Sequence, residues 1–317
     1  MNDPALFVLW RGFQDGEALS DLEHKADCAR TWFYLAVLAF ARDYNESAAR
    51  YARQAAHDDA NSRVYPAATQ YLDRIGRSGR HEIYTRPEAF TAFIRGGGNA
   101  SLYAALQQRL RDRYERLRPT RLLDIGPGDG EALLPALGDS VGHVDIVEPS
   151  PSLYRHTLTQ LRHRRVPHDG VNAGLEQLPG SPLASRSWDL AQATFSLHNL
   201  DPQARREALA WLRPRVNRIL IAEFDLDPKD SCHPEWFLRV VCAYENGLAE
   251  YDGDGGLVAQ GFLMPVMFGY FDPDVTHDER PILQWQQDLH DAGFTRQLEP
   301  VLLHDYWWAP GYLLEAA

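Results

Sequence analysis

One segment constrains the fold of this 317-residue chain more than any other. Leu122-Leu123-Asp124-Ile125 is an apolar run that passes directly into Gly126-Pro127-Gly128-Asp129-Gly130. Glycine adopts left-handed backbone freely and lets the main chain approach a ligand closely. A helix is expected next, and its N-terminus would offer free amide donors and the positive end of a dipole. Val144-Asp145-Ile146-Val147 is a second apolar run, ending in Glu148, 18 residues after Gly130. In doubly wound sheets an acid at that place accepts hydrogen bonds from ribose hydroxyls. Together the two elements point to a parallel α/β sheet and an adenosine-containing ligand.

The rest of the chain agrees with this reading. From Arg121 onward, short apolar runs alternate with helical segments, the rhythm of an α/β sheet. The strand candidates are Arg121–Ile125, His143–Val147, Asp189–Ala193, Arg218–Ala222, Gln297–His304 and Trp307–Leu313. The first third reads as helix. Ala26–Ala41, Glu46–Ala56 and Tyr65–Ile75 carry apolar residues at helical spacing, in the manner of a tetratricopeptide-like hairpin. Gly96-Gly97-Gly98-Asn99 breaks the pattern, and Ser101–Leu117 resumes it as an amphipathic helix. These breaks predict a helical lid region over 1–95 and a ligand-binding domain over 96–317. An insertion at about 232–274 holds a helix, Glu235–Tyr251, and an apolar run through Met267.

Spacing narrows the ligand. The dinucleotide fingerprint Gly-x-Gly-x-x-Gly would need glycine at position 131, where Glu131 stands. The pattern here is Asp-x-Gly-x-Gly-x-Gly, which resembles motif I of class I S-adenosylmethionine-dependent methyltransferases of the small-molecule type. Glu148 matches their second-strand acid. Gly174-Leu175-Glu176-Gln177-Leu178-Pro179 is similar to their loop after the third strand, which flanks the adenine, although Gly174 stands where the family has aspartate. The run from Trp188 to His198 resembles their fourth strand and the loop beside the reacting methyl. Gly293-Phe294 and the two strands that follow resemble their closing hairpin. The resemblance spans about 101–314 outside the insertion. It implies a Rossmann-like, mostly parallel sheet of seven strands with the insertion after strand 5. It also implies S-adenosylmethionine as cofactor and methyl transfer to a small molecule. Asp124, Gly126, Gly128, Asp129, Gly130, Glu148, Pro149, Gly174, Leu175, Thr194 and Phe195 are then the cofactor-contacting residues, with Asn99 reaching in from the segment before the first strand.

Methyl transfer from a sulfonium is an in-line displacement, so the protein must hold the acceptor and exclude water. His198 follows the fourth strand and Glu223 ends the fifth. A carboxylate beside an imidazole fixes its tautomer and raises its pKa, so this pair is a candidate base. Tyr244 and Tyr251 on the insertion helix are further catalytic candidates. The Phe, Met, Tyr and Leu of the insertion suggest an apolar or aromatic acceptor, such as an indole-like natural product, methylated on carbon, nitrogen or oxygen.

Composition excludes other classes. The net charge of −12 repels phosphate backbones, so nucleic acid is not an expected partner. Three scattered cysteines and no Cys-x-x-Cys or His-Glu-x-x-His predict neither disulfides nor a metal set. No apolar run spans a bilayer, and Met1–Trp10 lacks the pattern of a signal peptide. A cytoplasmic protein is therefore expected; the resemblance implies an enzyme of secondary metabolism, and a homodimer is compatible with it. A nicotinamide-dependent oxidoreductase and a non-catalytic binding protein on the same fold are the alternatives. Glu131 counts against the first, and the intact motifs count against the second.

Overall fold

Asp3 and Pro4 start the first helix, α1 (Pro4–Gln14), in the computed structural model, which describes residues 3–78, 87–228, 230–273 and 278–317. The Asp3 carboxylate accepts the Ala5 N–H at 3.2 Å, and proline lacks only an N–H that the first turn leaves unbonded. α2 (Leu19–Glu23), α3 (Ala29–Ala41), α4 (Asn45–Asp58), α5 (Val64–Ser78) and α6 (Pro87–Arg95) follow. The three predicted helices are α3, α4 and α5. α1 escapes prediction because Leu6-Phe7-Val8-Leu9-Trp10 is a continuous apolar run with no readable period. α7 runs from Gly97 to Leu117, so Gly97, Gly98 and Asn99 are its first turn and only Gly96 is the break. Gly97 takes the left-handed conformation at φ 49°.

The sheet strands are β1 (Arg121–Ile125), β2 (His143–Val147), β3 (His168–Val171), β4 (Leu190–Thr194) and β5 (Ile219–Phe224), joined by α8 (Leu133–Ala136), α9 (Pro151–His163) and α10 (Pro202–Leu212). The insertion holds α11 (Pro234–Ala249), a π-helical turn (Ala259–Leu263) and α12 (Met264–Gly269). α13 (Ile282–Asp291), β6 (Val301–His304) and β7 (Gly311–Ala316) complete the order. The sheet runs β3-β2-β1-β4-β5-β7-β6, with β7 antiparallel to both neighbours.

Several boundaries differ from the sequence reading. β3 has no counterpart among the six apolar runs, because His168-Asp169-Gly170-Val171 is a polar edge strand. β6 begins four residues later than expected; Gln297 makes only an isolated bridge to Ala316. β7 begins at Gly311, since Pro310 precedes it and offers no ladder donor. The helix after the glycine turn is only the four residues of α8, followed by Gly138-Asp139-Ser140, so it supplies little dipole. α11 ends at Ala249, which leaves Tyr251 outside the helix. The insertion's far end at Asp274 lies outside the described residues.

The chain forms two compact units, residues 1–97 with 228–275 and residues 98–227 with 276–317. In the first, the insertion packs with the N-terminal helices. Phe268 lies 4.9 Å from Phe40 and 5.2 Å from Tyr71, and Phe237 lies 4.7 Å from Tyr34. Glu245 accepts the N–H of Arg63 at 2.8 Å and of Val64 at 3.2 Å, which caps the start of α5. In the second, α7 lays Leu102, Leu106, Leu110 and Tyr114 into the interior at helical spacing.

A register row crosses the second unit's sheet: Asp124 pairs with Gln192, Gln192 with Leu220, and Leu220 with Glu315. Glu315 is buried and meets Arg113 and Arg218 at 2.5 Å and Arg116 at 3.0 Å. Glu315→Ala should lower stability by about 2–3 kcal/mol in urea unfolding. That is at or below the usual cost of breaking a buried pair, because the half-exposed Arg116 and Arg218 can turn out to water.

Candidate functional site

The glycine turn after β1 is built as its composition demands. Gly126, Gly128 and Gly130 have φ of 66°, 59° and 82°, all left-handed. A β-carbon on Gly126 would lie 2.6 Å from Ser196 Cβ, and one on Gly130 would lie 2.7 Å from the Leu134 side chain. Three elements hold this loop. The Gly128 N–H donates to Glu148 Oε2 at 3.0 Å, Thr157 Oγ1 on α9 donates to the Gly128 carbonyl at 2.8 Å, and Ser196 Oγ donates to the Ile125 carbonyl at 2.8 Å. Asp129 Oδ1 accepts the Glu131 N–H at 3.1 Å and turns the chain toward α8. The donors of this region are therefore loop amides rather than the N-terminus of a long helix.

Glu148 directly follows β2 and is buried. Its second oxygen accepts the Ser150 N–H at 2.8 Å. Burial pushes its pKa up, and the two amides pull it back. Asn172 Nδ2 donates to the carbonyls of Glu148 at 2.7 Å and Pro149 at 2.9 Å, so the residue after β3 holds the chain after β2. Gly174 caps a short 3-10 helix, Leu175–Gly180, in which Leu175 is buried. Asn99 is buried in the first turn of α7. Asp124 is fully buried on β1; Oδ2 accepts from Gln192 Nε2 at 2.9 Å.

β4 delivers Thr194 and Phe195. Phe195 has a φ of 51°, a conformation that a residue with a side chain adopts at a cost of order 1–3 kcal/mol and that clusters at functional sites. Its ring stacks on Phe224 at 4.7 Å, and Phe224 stacks on Tyr306 at 5.8 Å. His198 Nδ1 lies 2.8 Å from Glu223 Oε2, and the other Glu223 oxygen accepts the Leu197 N–H at 3.0 Å. Burial alone would lower the imidazole pKa. Glu223, helped by Glu279, outweighs it and holds His198 up to about 9, with Arg205 opposing. The buried Arg205 pairs with Asp278, reaches the Leu197 carbonyl at 3.4 Å, and Asp278 N–H donates to the His198 carbonyl at 2.9 Å.

All twelve expected cofactor residues and the pair His198–Glu223 thus lie in the second unit. Tyr244 and Tyr251 lie in the first. Tyr244 is buried, and the Tyr251 hydroxyl donates to the carbonyls of Phe93 at 2.8 Å and Gly96 at 3.2 Å. In the aromatic run of the insertion, Phe262, Leu263, Met264, Met267, Phe268 and Phe271 are all buried, and Phe262 stacks on Phe93 at 4.2 Å. Among the described residues, His143, Asp145 and Asp169 bring three ligand-type atoms within 4.8 Å of one another, a group that no sequence motif announces. Arg186 meets both of its carboxylates, at 2.5 and 2.8 Å, and supplies the positive charge there.

Sequence reasoning missed Tyr114, Gln192, Thr157, Asn172, Ser196 and Arg205. Only Gln192 carries a signal, as an amide in the otherwise apolar Leu190-Ala191-Gln192-Ala193.

The mostly parallel seven-stranded sheet, closed by the β6–β7 hairpin, is what the resemblance implies. The chain has the class I methyltransferase fold. No family model and no curated protein matches its sequence. Solved structures do match. SCL7 of Oryza sativa is 14% identical at a TM-score of 0.60, over 92% of this chain and 100% of that one. Magnesium protoporphyrin IX methyltransferase of Synechocystis PCC 6803, with bound SAM, is 12% identical at a TM-score of 0.47, over 79% and 96%. At these identities the likeness is one of fold. No described helix is long and apolar enough to cross a membrane.

The His198 pair generates a pH prediction. Its folded pKa stands above the ordinary 6.5, so the pair's stabilisation is full below about pH 6.5 and is lost as pH rises through about 9. Histidine NMR should show His198 titrating near 9. Glu223→Gln should bring it to 6.5 or below, since burial then acts without the carboxylate.

Proposed function

We propose that this chain binds S-adenosylmethionine and transfers its methyl group to a small-molecule acceptor. The observation that carries the reading is the loop Gly126–Gly130, left-handed at all three glycines and fastened by Gly128 to the acid that follows β2. The residues fit the cofactor. Gly126 and Gly130 have no room for side chains, so the loop keeps a bare backbone. Each Glu148 oxygen accepts one amide and retains lone-pair capacity for a ribose hydroxyl. Asp124 Oδ1 is buried and has no hydrogen-bond partner, which suits a donor from a ligand. Glu131 stands where a dinucleotide site needs its third glycine.

When bound, the cofactor supplies an electrophilic methyl on a sulfonium. The chain has to orient the acceptor and, where the acceptor loses a proton, to accept it. His198 hydrogen-bonds through Nδ1 to Glu223, which directs Nε2 to that task. An imidazole held up to about 9 is mostly charged at neutral pH, so its base form grows as pH rises. The stacked rings of Phe195, Phe224 and Tyr306 at the carboxyl ends of β4 and β5 favour an apolar or aromatic acceptor, an indole-like natural product among them, with carbon, nitrogen or oxygen as the receiving atom.

Calorimetry should show S-adenosylhomocysteine binding and no binding of nicotinamide dinucleotides, and Gly128→Val should abolish the former. Tritium from labelled S-adenosylmethionine should pass to aromatic acceptors; tight dinucleotide binding without transfer would overturn the reading. For an acceptor that loses a proton, the rate should climb with pH up to about 9 and His198→Ala should lower it by about 100- to 10,000-fold. Glu148→Ala should weaken S-adenosylhomocysteine by about 1.5–3 kcal/mol and also lower the melting temperature, because it strands the Gly128 and Ser150 amides.

A further inference from the structure

A buried polar chain runs from α7 across one face of the sheet to β1, the strand that leads into the glycine loop. The Tyr114 hydroxyl, fully buried, donates to Gln192 Oε1. Gln192 Nε2 donates to Asp124 Oδ2 at 2.9 Å. Asp124 Oδ1, also buried, ends the chain without a hydrogen-bond partner. Nothing in the apolar packing of β1, β4 and α7 calls for such groups, and each buried polar atom left unmet costs about 1–3 kcal/mol.

The direction of the chain matters. An amide can turn end for end with almost no change of shape, so its orientation is set by its partners. Tyr114 is held as the neutral phenol by burial, with the Asp124 charge adding to that, and so is a donor. It takes the oxygen end of Gln192. The nitrogen end must then face Asp124, where the reversed amide would set oxygen against carboxylate.

We infer that Tyr114 and Gln192 are positioning residues: they hold the Asp124 carboxylate by one oxygen and reserve the other for a cationic donor, the ammonium group of the bound ligand. This rests on the reading of the glycine loop as the cofactor site. Asp124 has a titration that fits the role. Burial drives its pKa up to about 7; the Gln192 amide lowers it, the nearby Glu148 charge raises it, and the Ile125 N–H lowers it. Glu148 beyond β2 is the titratable group that acts on it, and Asp124 in turn raises the Tyr114 phenol on α7. As a raised carboxylate, Asp124 binds its proton more tightly folded than unfolded, so its contribution to stability declines as pH rises from about 4 to about 7. A ligand cation would reverse that trend by favouring the charged form.

The test is calorimetry of the full chain with S-adenosylhomocysteine between pH 5.5 and 8.5. Wild-type affinity should rise by up to about tenfold per pH unit below about 7 and level off above it. Tyr114→Phe keeps the volume and removes the donor. It should move the break upward by about one pH unit, weaken binding about fivefold at pH 7, and recover at high pH. Gln192→Met should act in the same direction. Recovery at high pH is the readout that a purely structural role would not give. Wild-type profiles in both variants, equal weakening at every pH, or failure of both to fold would overturn the inference. Absence of S-adenosylhomocysteine binding by the wild type at all pH values would sink the cofactor reading instead. The relay would then be judged by the carbon-13 carboxyl titration of Asp124 in the unliganded chain, where an upward shift in Tyr114→Phe sustains it and an unchanged titration overturns it.

Discussion

The carboxyl end of the sheet depends on one buried carboxylate. Glu148 takes an amide from the loop after β1 with one oxygen and an amide from the start of α9 with the other. A single side chain thereby sets where two adjacent connections leave the sheet. Its own carbonyl is held from the residue after β3. Three glycines in five residues would otherwise make the loop loose, because glycine loses the most conformational freedom on folding. Ties from Glu148, Thr157 and Ser196 give that backbone one shape.

Around this anchor, several buried charges of the second unit stand in matched sets. His198 sits on Glu223, Arg205 on Asp278, Arg186 on Asp145, and three arginines gather on Glu315. Buried pairs add little net stability over apolar packing of the same volume, whereas the loss of one partner is costly. What such pairs supply here is placement. Arg205 and Asp278 fix both sides of the short turn that carries His198, so the imidazole's position is set by groups more than five residues away in sequence.

The sheet was legible because its inner strands are apolar runs of the right length: β1, β2, β4 and β5 lie where the sequence puts them to within about two residues. The turn after β1 was legible because left-handed backbone leaves its mark as glycine. β3 was not, since an edge strand with one polar side carries no apolar period. The acceptor side was not legible for a different reason. Phe262, Met267 and Phe268 look alike in sequence whether they line a pocket or fill a core, and only tertiary packing separates the two. Tyr114 and Gln192 sit 78 residues apart, and no local pattern joins them.

The first unit has a property of a different kind, which concerns time. It is assembled from two stretches of chain with five of the sheet's seven strands encoded between them. Phe40 and Tyr71 find their partner in Phe268, and Tyr34 in Phe237. A ribosome adding about 5–20 residues per second makes the N-terminal helices wait on the order of ten seconds or more for those side chains to exist. During synthesis the apolar faces of α3 and α5 are therefore uncovered while most of the sheet is already made. Every molecule passes through a stage in which the N-terminal helices must avoid both aggregation and the wrong partner. Their alanine-rich neighbour α4, which covers α3 and α5 early and locally, is the element that carries the chain through it.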